Sequence, residues 1–291
     1  MPQVETFSVE SVAQRVTGWR PLPPSLYALL ALRQHEPDAD ARLVEIVGGD
    51  SELNRRMLVL GSVSTDVEGK GRSAAGAAIR QIGYRRVHCA AVAVLLVDSL
   101  AAGANEFDFL DYWRNAAACA GLAASIADVA RSEARDLAYT AGLLHRVGLL
   151  ALDMAAPDRL AILRDAVAEQ GWSEPLEESV LGFTIREVTA ALLVKWRLPM
   201  DLAEAHLVRN EPTLWESRPV ASLLWDASNA MSAIGIPDPL HGAAAAPGAT
   251  VSHQARLVLD RYYEGGSALL RRSEGLIGAC LLACDEDRPS N

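Results

Sequence analysis

Apolar residues recur every three or four positions along almost the whole chain, and no segment sustains a two-residue alternation. This pattern restricts the fold more than any other feature. Each segment can bury one stripe as a helix, and none reads as a half-exposed strand. Residues 107–130 and 136–153 are the longest such segments. Shorter ones lie at 8–16, 26–33, 40–49, 51–60, 73–82, 87–102, 159–169, 174–182, 184–197, 199–208, 219–234, 251–263 and 266–283. Asp50 stands where its carboxylate can accept from the first free amides of the helix that follows. Abundant Ala and an aromatic content of only 5% fit packed helices. The expected fold is all-α. Two lobes, 1–105 and 106–291, part at the Ala-Gly-rich break near 101–104, and 235–250 and 285–291 read as a loop and a polar tail.

Composition removes several function classes. Lys+Arg is 27 against Asp+Glu 37, a formal net charge of -10, and Lys70 and Lys195 are the only lysines. A chain this acidic lacks the cationic footprint on which nucleic-acid affinity depends. Cys89, Cys119, Cys280 and Cys284 are scattered through apolar sequence and form neither a disulfide framework nor a zinc pattern. The N-terminus carries no basic region followed by an apolar run. The longest apolar run, 89–97, is too short for a bilayer, so a cytoplasmic protein with no membrane attachment is expected.

Isolated chemical motifs fare no better. Lys70 sits between two glycines, but no Ser or Thr follows it and no strand precedes it, so 62–72 reads as a surface loop rather than a phosphate loop. His88 and Cys89 are adjacent on a helix and therefore point about 100° apart, which prevents a nucleophile–base pair. His206 reads as a solvated or helix-end histidine.

Several segments, in order, resemble the HDOD family of bacterial signalling proteins, which is related to the HD phosphohydrolases. They are Leu22-Pro23-Pro24, Ile46 to Leu53 with its Gly48-Gly49-Asp50, and Met57-Leu58-Val59-Leu60-Gly61-Ser62. Ala78-Ile79-Arg80-Gln81-Ile82-Gly83, Trp113, Ala141-Gly142-Leu143-Leu144-His145-Arg146-Val147-Gly148 and Trp196-Arg197-Leu198-Pro199 complete the series. The resemblance implies an N-terminal helical bundle packed on an HD-like helical lobe.

In the metal-binding relatives an imidazole and a carboxylate stand side by side at the His145–Arg146 position and hold a divalent ion. Here the second is Arg146, a permanent cation with no acceptor. The other ligand positions are changed as well. Asn115 follows Trp113 where a His is expected, Thr184 and Ile185 precede Val188 in place of Asp-His, and Arg209-Asn210 precede Glu211-Pro212 in place of a His pair. One remaining His cannot supply the converging ligands and open water position that metal catalysis needs.

A non-enzymatic protein without metal or other cofactor is therefore expected. The resemblance implies a regulatory module working beside a histidine kinase, a response regulator or a cyclic-dinucleotide enzyme. A phosphohydrolase with an altered site and a nucleotide sensor are the alternatives. Two readings of His145 stay open. It is a buried structural histidine, or, with Arg146, it lines a remnant pocket for phosphate or a nucleotide, to which Arg114, Asn115 and Arg209 would contribute. Trp113 and Trp196 are core residues or, alternatively, a stacking platform for a base.

Overall fold

Two glycines set how tightly the central helices approach in the computed structural model of the chain, which describes residues 7–19, 23–32, 36–60, 76, 79–80, 83–101, 109–242 and 251–262. Its helices are α1 (Val9–Trp19), α2 (Pro24–Ala31), α3 (Ala39–Gly49), α4 (Ser51–Leu60), α5 (Tyr84–Ala101), α6 (Phe109–Val129), α7 (Arg135–Leu144), α8 (Val147–Ala155), α9 (Pro157–Gln170), α10 (Glu174–Leu181), α11 (Ile185–Lys195), α12 (Met200–Val208), α13 (Pro219–Ala233) and α14 (His253–Tyr262). A 3₁₀ turn, Pro212–Leu214, joins α12 to α13. Among the described residues the only extended pairing is a single antiparallel bridge between Asp238 and Gly242, so the all-α expectation is met. The phosphate-loop candidate Lys70, the polar tail, the helix over 266–283 and Cys280 with Cys284 lie outside the described residues.

The chain forms two compact units. The smaller holds α2, α3, α4 and α5 up to Ser99, and the larger holds α1 and α6 to α14. In the smaller unit Leu26, Leu29, Leu43, Val47, Leu53, Met57, Val87 and Leu96 are buried. Asp50 caps α4 as its position suggested, accepting from Leu53 N at 3.0 Å. His88 sits half-buried with its Nε2 2.8 Å from the Leu29 carbonyl, stacked on Tyr84, and burial lowers its pKa despite that contact. Placing α1 with the N-terminal lobe needs correction. Its residues Val12, Ala13 and Val16 are buried, and the helix packs on α8 and α11 of the larger unit, where Arg15 also donates to the Ala155 carbonyl at 3.3 Å.

The larger unit is organised around α8, every residue of which is buried. Apart from Asp153 the helix is apolar and has no solvent face to offer, and each fully buried Leu contributes about 1.5–3 kcal/mol. The single helix expected over 136–153 is in fact two. The chain leaves the helix at His145 and Arg146, the latter at φ -112° and ψ 12°, and restarts at Val147.

Glycines on either side of this break allow it. A Cβ on Gly142 would stand 2.7 Å from the Ala120 Cα, because α6 presents a face of Ala116 to Ala120 with Cys119. A Cβ on Gly148 would stand 2.5 Å from the Ile185 carbonyl oxygen of α11. Instead the Thr189 hydroxyl accepts from Gly148 N at 3.1 Å and donates to the Ile185 carbonyl at 3.1 Å. The start of α11 is held by a full capping box, in which Thr184 accepts from Glu187 N and the Glu187 carboxylate accepts from Thr184 N.

Candidate functional site

The break between α7 and α8 turns two side chains out of the packing and into a cavity of about 440 Å³. Helices α6 and α13, the break itself, the approach to and first residue of α10, and the connections after α12 and α13 form its wall. His145 is buried, and its Nδ1–H donates to the Gly142 carbonyl at 2.6 Å. Burial, then the Arg146 charge, pushes its pKa down to about 3, so the ring is neutral.

Arg146 is buried too, and its charge is matched. It pairs with Asp238, whose side chain is 11% exposed against 9% for Arg146, and its guanidinium lies 5.9 Å above the ring of Trp172. Burial opposes the charge of Arg146, but Asp238 and then Glu177 more than offset it, and the pKa rises. Burial likewise opposes ionisation of Asp238, yet Arg146 holds its carboxyl below the usual range.

The partner carboxylate is placed by its own loop. Asp238 N donates to the Gly242 carbonyl and the Asp238 carbonyl accepts the return bond from Gly242 N, while the Asp238 Oδ1 accepts from Leu240 N at 2.9 Å. His241 of the same loop stacks on Trp172, with centroids 5.3 Å apart. Trp172 is anchored through Nε1, which donates to Glu177 at 2.7 Å; the other oxygen of Glu177 accepts from Ile185 N at 2.8 Å. Trp172 thus joins the site to the start of α11.

Asn115 reaches the wall from α6. Its Nδ2 donates to the Pro237 carbonyl at 2.8 Å, and its buried Oδ1 has no partner among the described residues. Arg209, at the C-terminal end of α12, brings a second guanidinium to the cavity, and its closest carboxylate contact is Glu174 at 3.9 Å. Burial and then the charge of Arg146 lower its pKa, which Glu174 only partly offsets. Asn229 of α13 adds a buried Nδ2 without a partner among the described residues.

The sequence grouping is thereby divided. His145, Arg146, Asn115 and Arg209 converge on one cavity. Trp113 and Arg114 do not line it. Trp113 is 4% exposed and meets Tyr112 edge-on in the core, and Arg114 is ion-paired to Asp111 at 3.2 Å on the outside of α6. Arg114 directly precedes Asn115 on α6 and points away from the cavity because adjacent helix residues diverge by about 100°. Trp196 is also core, at 5% exposure.

His206 needs the opposite correction. It is fully buried and neither ring nitrogen has a partner among the described residues, and burial followed by repulsion from Arg209 holds it well below its usual pKa. Cys119 is no nucleophile, since burial pushes its thiol up to about 12. The sequence reading missed Trp172, Trp225, Glu174 and Asp238. A Trp followed by Ser173-Glu174-Pro175, the start signature of a helix, is a signal that could have found the first.

The arrangement does not suit a divalent metal. Asp238, the carboxylate that reaches the His145 joint, is committed to Arg146, and a guanidinium occupies the position where a second ligand would stand. Among the described residues no three His, Cys, Asp or Glu side chains are grouped to hold an ion.

The HDOD domain model matches residues 21–212, which span both units up to the end of α12 and the first residue of the 3₁₀ turn. The chain belongs to the HDOD domain family. Solved structures share the fold. A protein of Marinobacter aquaeolei named for signal transduction superposes with a TM-score of 0.71 at 24% identity, covering 94% of this chain and 64% of that one. A protein of Shewanella amazonensis named as a phosphohydrolase gives 0.70 at 20% identity, covering 91% and 98%. An HDOD domain protein of Geobacter sulfurreducens of unknown function gives 0.67 at 19%, covering 96% of each chain.

This HDOD chain therefore spans about two thirds of the Marinobacter protein's length and nearly all of the other two. No curated protein matches it. No helix among the described residues of the HDOD protein is long and apolar enough to cross a membrane.

Proposed function

We propose that this HDOD domain is a non-catalytic regulatory module of bacterial signal transduction, working in the cytoplasm through a protein partner. The observation that carries the reading is the buried Arg146–Asp238 pair. It places a cation and its counter-charge where an HD-type metal centre would need two anionic or neutral donors and an open water position. Of the positions where the metal-binding relatives carry their ligands, only His145 keeps an imidazole, and its Nδ1–H donates to the Gly142 carbonyl. What the chain keeps is a densely packed scaffold, and such a scaffold acts through binding. The family resemblance and the signalling name of the Marinobacter relative support a partner drawn from histidine kinases, response regulators or cyclic-dinucleotide enzymes.

The test has two arms. Elemental analysis of protein purified without chelator is expected to find no stoichiometric Mn, Fe, Mg or Zn, and added metals are expected to give no hydrolysis of nucleotides or phosphodiesters. Capture from the native host is expected to enrich a signalling protein. Metal-dependent turnover abolished by His145→Ala would overturn the reading, as would a deletion strain in which no regulated output changes.

A further inference from the structure

We propose that the cavity of the larger unit binds a small organic oxyanion that also carries a hydrogen-bond donor, and that Arg209, rather than Arg146, pairs with its negative charge. This rests on the non-catalytic reading of the same site and assigns it a ligand class.

The charges in the wall are unevenly matched. Arg146 has Asp238. Glu174 Oε1 already accepts from Asn210 Nδ2 at 2.9 Å and lies 3.2 Å from Arg186 Nε, so at 3.9 Å from Arg209 it gives no hydrogen bond. Glu177 is occupied by Trp172 and by Ile185 N. The Arg209 guanidinium, 11% exposed, makes no hydrogen bond to a described residue. A cation removed from water without a bonded anion is costly, and a planar or tetrahedral oxyanion can receive two of its N–H groups at once. The opposite pKa directions of the two arginines, up for Arg146 and down for Arg209, follow from the same imbalance.

Two amides define the rest of the ligand. The Asn115 side chain is 2% exposed, and because its Nδ2 is fixed on the Pro237 carbonyl, Oδ1 remains an acceptor awaiting a donor. Asn229 Nδ2 is a donor awaiting an acceptor. Buried polar groups are nearly always paired, so unpaired ones on a cavity wall mark where a ligand's groups would go. Trp172 and Trp225 supply flat apolar walls, and about 440 Å³ lies in the small-molecule range of roughly 300–1,000 Å³. The same chemistry could come from a hydroxycarboxylic acid or a phosphate ester with a polar body.

Malate, GMP and inorganic phosphate separate these sources when titrated into the full chain by calorimetry and tryptophan fluorescence. Saturable binding of malate or GMP, tighter than that of inorganic phosphate and with altered tryptophan emission, is the expected result. Malate binding identifies a carboxylate and GMP binding a phosphate ester. Arg209→Gln is expected to weaken it about tenfold or more, the loss of a charge-assisted hydrogen bond, and Asn229→Ala to weaken it less.

The proposal is overturned if neither organic anion saturates at millimolar concentration, if inorganic phosphate binds as tightly as either, or if Arg209→Gln leaves the affinity unchanged. Should Arg209→Gln fail to fold, Ser232→Phe, which fills the cavity from a half-exposed wall position, decides the matter. Retained affinity overturns the site and lost affinity supports it. GMP bound and then hydrolysed with added metal would overturn the non-catalytic reading alone. Absence of binding alongside a captured partner would overturn the ligand site alone.

Discussion

The joint between α7 and α8 faces two very different surroundings. On its packing side Gly142 and Gly148 lie against the backbones of α6 and α11, where one added carbon would stand 2.7 and 2.5 Å from its nearest neighbour. On its cavity side the same seven residues project His145 and Arg146 into a space of about 440 Å³. Packing there admits no extra atom, because the opposing groups are backbone and cannot move aside. The cavity side admits a full guanidinium, provided that a carboxylate 92 residues further along arrives to meet it. The scaffold is a local steric condition, while the chemistry is a set of exchangeable residues carried on separate elements.

The strongest way to break this comparison is to remove the counter-charge. Asp238→Ala leaves Arg146 buried and unpaired and is expected to destabilise the protein by about 3–5 kcal/mol in urea titration. Exchanging both partners for apolar residues, Arg146→Met with Asp238→Leu, is expected to be near neutral. A double variant as unstable as the single would show that the pair does more than satisfy its own charges.

The packing side is tested next. Gly142→Ala and Gly148→Ala are each expected to cost about 1–3 kcal/mol, as overpacking does, with the oxyanion titration of the cavity tracking stability alone. A loss below about 0.5 kcal/mol would mean that α6 or α11 can step back, and that the joint is less constrained than its distances indicate.

Acid sharpens the comparison on the cavity side. The pKa of His145 is about 3 in the fold against 6.5 in its ordinary state, so between those values the unfolded chain takes up a proton that the folded chain refuses. Stability is therefore full above pH 6.5 and falls as pH is lowered, by about 1.4 kcal/mol per unit for each histidine held neutral. His206, His88 and His241 are lowered as well and act in the same direction. His206→Leu, which removes two unpartnered nitrogens, is expected to flatten this slope without loss of stability near neutral pH. A slope unchanged by that substitution would exclude His206 as a contributor.

The smallest effect expected is at the cap that supports the packing side. Thr184→Ala opens the capping box of α11 and is expected to cost about 1 kcal/mol in thermal unfolding. A larger loss, accompanied by changed emission from Trp172, would show that the cap also holds the cavity wall through Glu177 and Ile185 N.

Helical spacing, the Gly142 to Gly148 stretch and the order of the surrounding motifs were enough to read from sequence an all-α chain of the HDOD family. The family resemblance grouped Asn115, His145, Arg146 and Arg209 with Trp113 and Arg114, and the first four do line one cavity. Periodicity carries the fold class because it records which side of each helix meets the core.

The rest depended on contacts between distant segments. Nothing in the local sequence shows that Asp238 neutralises Arg146 while Glu174, already bonded to Asn210, stays 3.9 Å from Arg209 and gives it no hydrogen bond. Nor does it show that Trp172 and Trp225 line the cavity in place of Trp113, that His206 is buried, or that α1 packs with the larger unit. A side chain's type and helix phase are local properties. Its burial and the partner of its charge depend on which other helix ends beside it, and only the tertiary structure decides that.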